Sequence, residues 1–428
     1  SLGSSPSPPA TECLVVEGRC RPAVPDAPTA VLVLAAGEGD QMNSRTLAHV
    51  LHAFGGRTML DHVLAAVEPL SPTTTVVLLG ERGEQVAEHL AAVAPRAIAA
   101  TDREQAHRAL PDSGPVLVVA GDAPMVTSAE LAQVISLGAP ARLADAAGKS
   151  VAVVVDAKEL PRTVGALDVA GKVLSANTVA HRVHNRQHLA NVRREFNQRL
   201  LEAHMRAGVT VVDPATTWVD AGVAIEADVT LWPSVDLHGT TTIGAGASIG
   251  PDVTLTDTAV GADARISRTV AVEARIGARA TVGPFAYLRP GTDLADEVHI
   301  GTYVELKKAT VGVGTKIPHL SYVGDATIGE HSNIGAATVF VNYDGVEKHH
   351  TVIGSHARTG ADNMFVAPVE VGDGAYTAAG SVITQDVPSG AMGVARAPQR
   401  NVAGWVARKR PGTPAAEAAA RAQERQED

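Results

Sequence analysis

The spacing of apolar residues divides the chain into two parts with different periods. Between about residues 30 and 160, aliphatic runs such as TAVLVLAA, TTTVVLLG and PVLVVAGD alternate with helically spaced segments such as TMLDHVLAAVEPL and ERGEQVAEHLAAVAP. Buried strands that alternate with amphipathic helices are typical of a parallel α/β sheet, in which the loops after the strands share one edge. We therefore expect a parallel α/β domain, with an exposed acid, Asp122, ending its third strand and further strands in SVAVVVDAKEL and KVLSANTVAHRV.

After about Thr217 the period changes to six. The aliphatic residues that recur at this spacing are Ile243, Ile249, Leu255, Ile276, Val282, Leu288, Leu294, Ile300, Leu306, Ile317, Val323, Ile328 and Ile334. A glycine follows many of them. A hexapeptide repeat is typical of a parallel β-helix, in which each hexad forms one side of a triangular coil and its aliphatic residue points inward. The alternative is a Val- and Ile-rich sandwich, which a six-residue period held over so many turns disfavours.

Residues between and around these parts complete the predicted organisation. Residues 1–28 are rich in Ser and Pro and are expected to be a disordered leader. The α/β domain is expected over 29–190, a connecting helix over 191–216 and the β-helix over 217–406. A polar, Ala-rich tail at 407–428 is either a frayed helix or disordered.

Composition narrows the classes of function. With a net charge of -10 and no basic block, the chain is not expected to bind nucleic acid. No apolar run approaches the roughly 20 residues of a membrane span, so no membrane partner is expected. The two cysteines, Cys13 and Cys20, lie close together in the leader, and whether they pair stays open. Because the leader lacks the order of a signal peptide, we expect a cytoplasmic protein.

The hexads are interrupted by polar segments that read LRPG, VELKKA, HLSYVGDA, NIGAA and NYDG, in that order. Together with an LAAGEGDQM loop and the GDAP strand end, these resemble the GlmU family. Its members are bifunctional N-acetylglucosamine-1-phosphate uridylyltransferases and glucosamine-1-phosphate N-acetyltransferases. The resemblance covers roughly residues 30–406. It implies a Rossmann-like, nucleotidyltransferase-like domain, here truncated, a left-handed parallel β-helix with acyltransferase activity, acetyl-CoA as co-substrate, and a homotrimer with sites between the β-helices.

The resemblance also implies roles for residues of the β-helix. His319 matches the family's catalytic base, and a histidine suits the removal of a proton from an amine near neutral pH. Cationic and neutral hydrogen-bonding side chains suit a sugar phosphate. The positions that match the family's substrate-binding residues are Arg289, Lys307, Tyr322, Asn333, Lys348, Asn342 and Tyr343. The positions that match its CoA side are Ala336, Ala361, Ala379 and Arg396.

The β-helix departs from the family pattern near these positions. Ala337 stands where the family has glycine, and Ala361 where it has serine. The base is preceded by Ile317 and Pro318 in place of small residues. These changes leave the acyl group and the acceptor open, while the matched base and substrate-binding positions remain.

The α/β domain departs further. In the family the phosphate loop carries an arginine, followed by a lysine, which offset triphosphate charge. Here Gln41 replaces the arginine, Asp40 replaces a threonine and His49 stands at the lysine. Asp122 matches a metal-binding acid, but its distant asparagine partner aligns with His184. The family's region that holds the uracil reads REQAHRAL here, and its segments for N-acetylglucosamine recognition have no counterpart. We therefore expect uridylyl transfer to be lost, Asp122 to be vestigial, and no Mg²⁺ requirement and no metal site.

Three alternatives remain beside acetyl transfer to glucosamine-1-phosphate. The same chemistry could act on another amine or amino sugar in a specialised biosynthetic pathway, or use another acyl-CoA. The chain could be a non-catalytic trimeric scaffold, which has no need of the matched base. It could also be the full bifunctional enzyme, which UTP with Mg²⁺ would then stabilise.

Overall fold

The computed structural model describes residues 14–16, 19–21, 30–36, 40–160, 167, 169–176 and 182–427. The chain forms two compact units, residues 1–298 and residues 299–428. Most of the expected disordered leader, with Cys13, lies outside the described residues. Within it, β1 (Leu14–Val16) and β2 (Arg19–Arg21) pair antiparallel.

The first unit begins with an α/β domain whose elements alternate along the chain. Its strands are β3 (Ala30–Ala35), β4 (Ala53–Phe54), β5 (Arg57–Thr58), β6 (Thr75–Leu79), β7 (Ile98–Ala100), β8 (Pro115–Ala120), β9 (Ala141–Ala144), β10 (Ser150–Asp156) and β11 (Lys172–Ser175). Its helices are α1 (Met59–Val67), α2 (Gly83–Val93), α3 (Arg103–Ala109) and α4 (Ser128–Ser136), with 3-10 turns at Asp40–Met42, His49–Leu51, Glu68–Leu70 and Ala157–Glu159. Two of the helices, α1 and α4, begin with a capping box, which satisfies backbone N–H groups that have no partner within the helix.

The seven-stranded sheet of this domain has the order β11-β9-β10-β8-β3-β6-β7. Strands β8, β3, β6 and β7 are parallel, as predicted. Strand β10 is antiparallel to both β8 and β9, because a short turn at residues 145–149 joins β9 to β10 as a hairpin. The central strands are nearly continuous buried aliphatic runs, as expected for a sheet covered on both faces.

A long helix, α5 (Arg186–Arg206), follows the α/β domain. It begins before the predicted boundary at residue 191 and ends well before residue 216. The Asn185 side chain caps its first turn by accepting the His188 N–H at 2.8 Å. Further along, the Asn197 amide donates to the Thr217 carbonyl at 2.8 Å and accepts the Val219 N–H at 3.0 Å, so α5 is tied to the first coil of the repeat.

The repeat in the first unit consists of short parallel strands. They are β12 (Thr210–Val211), β13 (Thr217–Val219), β14 (Ala224–Ile225), β15 (Thr230–Leu231), β16 (Val235–His238), β17 (Thr242–Ile243), β18 (Ser248–Ile249), β19 (Val253–Thr256), β20 (Ala259–Val260), β21 (Arg265–Ile266), β22 (Thr269–Val272), β23 (Arg275–Ile276), β24 (Thr281–Val282), β25 (Ala286–Leu288) and β26 (Asp293–Leu294). Each pairs with a strand of the next coil, as in Leu231 with Ile249.

The second unit has the same architecture. Its strands are β27 (His299–Thr302), β28 (Glu305–Val311), β29 (Lys316–His319), β30 (Tyr322–Ile328), β31 (Val339–Val341), β32 (Thr351–Ile353), β33 (Met364–Val366), β34 (Val369–Val371), β35 (Tyr376–Thr377), β36 (Val382–Ile383) and β37 (Met392–Gly393). Two helices end the chain, α6 (Trp405–Lys409) and α7 (Pro414–Glu427). Of the two expectations for the polar tail, the helix is the one observed.

The six-residue period accounts for the interior of the coils. Every aliphatic residue named above at this spacing is at most 1 % exposed. Stacked positions are about three hexads apart, as in Leu237 with Leu255 and Leu306 with Val323. The predicted fold class is confirmed: an α/β nucleotidyltransferase-like domain precedes a left-handed parallel β-helix. In the second unit the stacked pair Phe340 and Phe365 is 25 residues apart, because the NYDGVEKHH segment inserts a loop into that coil.

Candidate functional site

His319 ends strand β29, and its side chain is exposed. Its backbone is fixed, since its carbonyl accepts the Ser321 hydroxyl at 2.7 Å and the Ala337 N–H at 3.2 Å. Within the described part of the chain the imidazole makes no hydrogen bond. Burial lowers the pKa of the neighbouring His299, and the charges of Lys316 and His319 lower that pKa further. A fixed backbone with an open imidazole leaves both ring nitrogens available to a bound molecule.

Four side chains from neighbouring strands form what we call the acceptor cluster: Lys307 on β28, Tyr322 and Asp325 on β30, and Asn342 directly after β31. The Lys307 ammonium lies 3.9 Å from the Asp325 carboxylate. The Asn342 amide donates to the same carboxylate and approaches the Tyr322 hydroxyl at 3.4 Å. Both members of the ion pair are largely buried, so their charges are poorly screened by water. The structure thus brings three of the predicted substrate-binding residues together around one carboxylate.

Gly324 makes the close packing of this cluster possible. A methyl group at that position would meet the Tyr322 hydroxyl and would lie 2.7 Å from the Asn342 amide nitrogen. The register of β28 and β30 pairs Lys307 with Gly324, so the lysine lies opposite the position that has no side chain. The absence of a side chain at residue 324 therefore lets Tyr322 and Asn342 close over the strand.

Asp325 is the member of the acceptor cluster that the sequence analysis does not identify. It lies within the HLSYVGDA motif, directly after Gly324, but no role was assigned to it. The sequence does contain a signal for Asp325. It is a charged residue immediately after a strand glycine, in a motif whose other polar residues are predicted to act in catalysis or to bind substrate. Its backbone is left-handed, with φ of 49°, a conformation that aspartate adopts more readily than most residues.

Lys348 and Tyr343 lie on an exposed loop. These two residues form an antiparallel bridge, and the Asp344 carboxylate closes the turn between them by accepting the Val346 and Glu347 N–H groups at 2.8 and 2.7 Å. The His349 ring contacts the same carboxylate at 2.7 Å. Hydrogen bonds from His349 and from these N–H groups lower the pKa of Asp344. The loop therefore presents Lys348 on an ordered turn. Its backbone contacts the acceptor cluster through the His349 N–H, which donates to the Asn342 carbonyl at 2.8 Å, whereas the Lys348 side chain makes no polar contact with the cluster among the described residues.

The remaining predicted residues are spread over other positions. Asn333 bridges Lys316 and Arg358 through its backbone, and its half-buried side chain lies apart from the hydrogen bonds of the acceptor cluster. Arg289 lies in the first unit, directly after β25, where its carbonyl accepts the Thr292 hydroxyl at 2.7 Å. Arg396 is exposed after β37.

The predicted CoA-side alanines stack on successive coils. The Asp362 N–H donates to the Ala336 carbonyl at 2.7 Å, and the Gly380 N–H, next to Ala379, donates to the Ala361 carbonyl at 2.9 Å. The result is a column of small side chains at one corner of the coil. Ala337 has φ of 58°, which costs about 1 kcal/mol for a residue with a β-carbon and explains why glycine suits that position.

In the α/β domain, Asp122 is not the exposed acid that the sequence predicted. It is 2 % exposed, because the Arg182 guanidinium covers it through two hydrogen bonds, Nε to Oδ1 at 2.8 Å and Nη2 to Oδ2 at 3.0 Å. His184 Nδ1 lies 3.9 Å from the same carboxylate. Val183, between Arg182 and His184, is held through its backbone. Its N–H donates to the Asp122 carbonyl at 2.8 Å, and the Val183 carbonyl contacts His49 Nε2 at 2.6 Å.

These residues do not fit a divalent cation. Both carboxylate oxygens of Asp122 already accept from a guanidinium, which carries a permanent positive charge. Among the described residues, no group of three or more His, Cys, Asp and Glu side chains could hold a metal ion. Beside the ion pair is a cavity of about 320 Å³, lined by Asp145, Ala147, Lys149, Arg182, His184, His188, Asn191 and Val192.

No helix in the described part of the chain is both long enough and apolar enough to span a membrane.

The comparisons with known proteins agree with the two-part fold. A family model described as the MobA-like NTP transferase domain matches residues 31–212. The Bifunctional protein GlmU of Streptomyces avermitilis is 47% identical, over 92% of this chain and 97% of its own length. The Bifunctional protein GlmU of Thermobifida fusca is also 47% identical, over 94% of this chain and 99% of its own length. The chain therefore belongs to the GlmU family and is an enzyme, a transferase whose β-helix is of the hexapeptide-repeat N-acetyltransferase class.

Proposed function

We propose that the β-helix transfers the acetyl group of acetyl-CoA to the amino group of glucosamine-1-phosphate, with His319 as general base. The observation that carries the proposal is the open imidazole of His319 on a fixed backbone, in the unit that also contains the acceptor cluster. His319 accepts the proton of the substrate ammonium. The amine nitrogen then bonds to the thioester carbon, the carbon–sulfur bond breaks, and the proton that the nitrogen loses passes to the departing thiolate, so that the products are the amide and CoA.

Several groups are proposed to hold the acceptor. Lys307 and Lys348, together with Arg289, supply positive charge for the phosphate, while Tyr322 and Asn333 bind the sugar. Asn342 and Tyr343 line the transfer site. Ala336, Ala361, Ala379 and Arg396 are proposed to contact CoA, where the small alanines leave room for its pantetheine arm. We further propose a cytoplasmic homotrimer.

The first test measures CoA release, by thiol titration, from acetyl-CoA with glucosamine-1-phosphate. We expect turnover by the wild type and its loss in His319→Ala. The melting temperature should change little, because the ring is exposed and lacks hydrogen bonds in the described residues. His331→Ala is the control, since it removes another exposed histidine of the same unit. Full activity of His319→Ala would refute the mechanism.

A panel of other amines and other acyl-CoA donors tests the identity of the substrates. Ala361 departs from the family pattern on the proposed donor side, and Pro318 departs from it beside the base. CoA release with another amine, and none with glucosamine-1-phosphate, would therefore mean that the acceptor specificity of the site has changed. If neither CoA nor any sugar phosphate binds, the scaffold interpretation would be favoured.

We also propose that uridylyl transfer has been lost and that no Mg²⁺ is needed. The Arg182 guanidinium on Asp122 supports this, because it engages both oxygens that would ligate the ion. UTP with Mg²⁺ should leave the melting temperature unchanged, since a ligand stabilises only a protein that binds it. A rise of the melting temperature together with release of pyrophosphate would contradict the proposal.

A further inference from the structure

We infer that the cavity beside Asp122 binds a small phosphate-bearing anion without a metal ion, with Arg182 taking the position that a divalent cation would otherwise occupy. The inference goes beyond acetyl transfer and shares no residue with the site proposed for it. It commits to one ligand chemistry, a tetrahedral phosphate dianion, either free or as the monoester of a small molecule.

The first support is the geometry of Arg182. A guanidinium has five N–H donors in a planar fork, and hydrogen bonds from Nε and Nη2 hold Asp122. Within the described residues Nη1 has no hydrogen-bond partner, and the Arg182 side chain is 32 % exposed in the wall of the cavity. Asp122 therefore orients the fork and leaves part of it available to an anion.

The second support is the set of donors on the facing walls. Lys149, at the end of the β9–β10 turn, and Asn191, on α5, line the cavity with His184 and His188. The one acid among the lining residues, Asp145, is engaged in its own turn, since one of its oxygens accepts the Ala147 and Lys149 N–H groups at 2.9 and 2.8 Å. An ammonium, a guanidinium, an amide and imidazoles converge on the same space, as phosphate oxygens require.

The electrostatic surroundings agree with this assignment. The first turn of α5 also lies at the cavity, and the positive end of a helix dipole favours an anion. A cavity of about 320 Å³ has room for a phosphate with a small organic group attached.

The test is calorimetric titration of the full-length protein, in EDTA, with inorganic phosphate and separately with glycerol 2-phosphate. Because the proposed acceptor site would also bind phosphate, every protein carries Lys307→Gln. In that background Arg182→Gln should weaken phosphate binding at least tenfold, because the main cationic partner is lost. Asp122→Asn should strengthen it several-fold, because a competing carboxylate is removed while Arg182 remains.

Two further variants complete the design. Lys149→Gln should weaken binding several-fold and acts on an exposed turn, so it remains informative if Arg182→Gln, which leaves Asp122 unpaired, fails to fold. Arg199→Gln is the control variant. Arg199 lies on α5, where its guanidinium pairs with Glu195 at 2.6 Å, and its substitution should leave phosphate binding unchanged. Stronger binding of glycerol 2-phosphate than of phosphate would assign the site to a monoester, and the reverse to the free ion.

The inference is overturned if phosphate binding is unaffected by Arg182→Gln, Asp122→Asn and Lys149→Gln, or if it appears only with added Mg²⁺. The result is separable from acetyl transfer. In proteins that retain Lys307, Arg182→Gln should leave CoA release unchanged. In the Lys307→Gln background, His319→Ala should leave phosphate binding in the α/β cavity unchanged.

Discussion

At the scale of single residues, we propose that Asp325 is a positioning residue, a carboxylate that holds the acceptor cluster without touching the reacting atoms. It accepts from Asn342 and lies 3.9 Å from the Lys307 ammonium. We expect Asp325→Asn to lower kcat/KM about tenfold or more, because both partners lose a charged acceptor worth roughly 1.5–3 kcal/mol. Most of the loss should appear as a higher KM for glucosamine-1-phosphate, since Lys307 would no longer be held.

Asp228→Asn is the matched control for that prediction. Asp228 is exposed and also has a left-handed backbone, with φ of 63°. Asp228→Asn therefore makes the same charge change in the same backbone conformation, at a position outside the acceptor cluster. Steady-state kinetics with varied acceptor separate KM from kcat. An unchanged KM in Asp325→Asn would mean that the carboxylate does not position Lys307.

The residues that sequence could identify are those whose role depends on local spacing. The inward aliphatic positions follow from the six-residue period, and the roles proposed for His319 and Lys307 follow from a family resemblance carried by motifs of a few residues. The environment of Asp122 could not be predicted in this way, because its partner Arg182 is 60 positions away and reaches it only in the folded domain. Asp325 was missed for the related reason that its partners come from two other strands.

At the scale of elements, stacking places titratable side chains of successive coils against each other. Strands β13 and β16 pair Val219 with Leu237, so the next residues, Asp220 and His238, meet at 3.3 Å. The hydrogen bond that His238 donates to the Asp220 carboxylate raises the pKa of His238 above its usual 6.5, although burial opposes the shift. Burial alone would raise the Asp220 pKa, but hydrogen bonds from His238 and the Gly239 N–H lower it.

The pair should therefore stabilise the first coils over a defined pH range. Because the folded pKa of His238 is raised, its contribution is complete below about pH 6.5 and disappears as the pH rises through the folded value. The lowered pKa of Asp220 extends the contribution down through about pH 4. His238→Gln should thus lower the melting temperature at about pH 5.5 and have much less effect at about pH 8.5. Equal losses at both values would show that the contact is not an ion pair.

At the scale of the whole molecule, regular coils and irregular insertions have different origins. Period and burial predict the coils, since each hexad needs only its neighbours above and below. The antiparallel β10 and the 25-residue coil were not predicted, because a hairpin and an inserted loop leave no periodic signal. The inserted loop is also where Lys348 and Tyr343 lie, so the part of the fold that sequence predicted least well carries two of the proposed substrate contacts.

The same reasoning leads to a test of how copies of the chain cooperate. The sides of a β-helix remain available for other copies, and the family resemblance places the sites between them. If His319 and Arg396 of one site come from different copies, then His319→Ala and Arg396→Ala, each inactive alone, should restore activity when co-expressed. In a cyclic trimer assembled at random from equal amounts, about a quarter of the sites would contain both intact residues, so about a quarter of wild-type CoA release is expected. Mixing the two purified, preformed assemblies is the control and should restore little. Failure of the co-expressed variants to recover any activity, in assemblies shown to contain both chains, would mean that each copy builds its site alone.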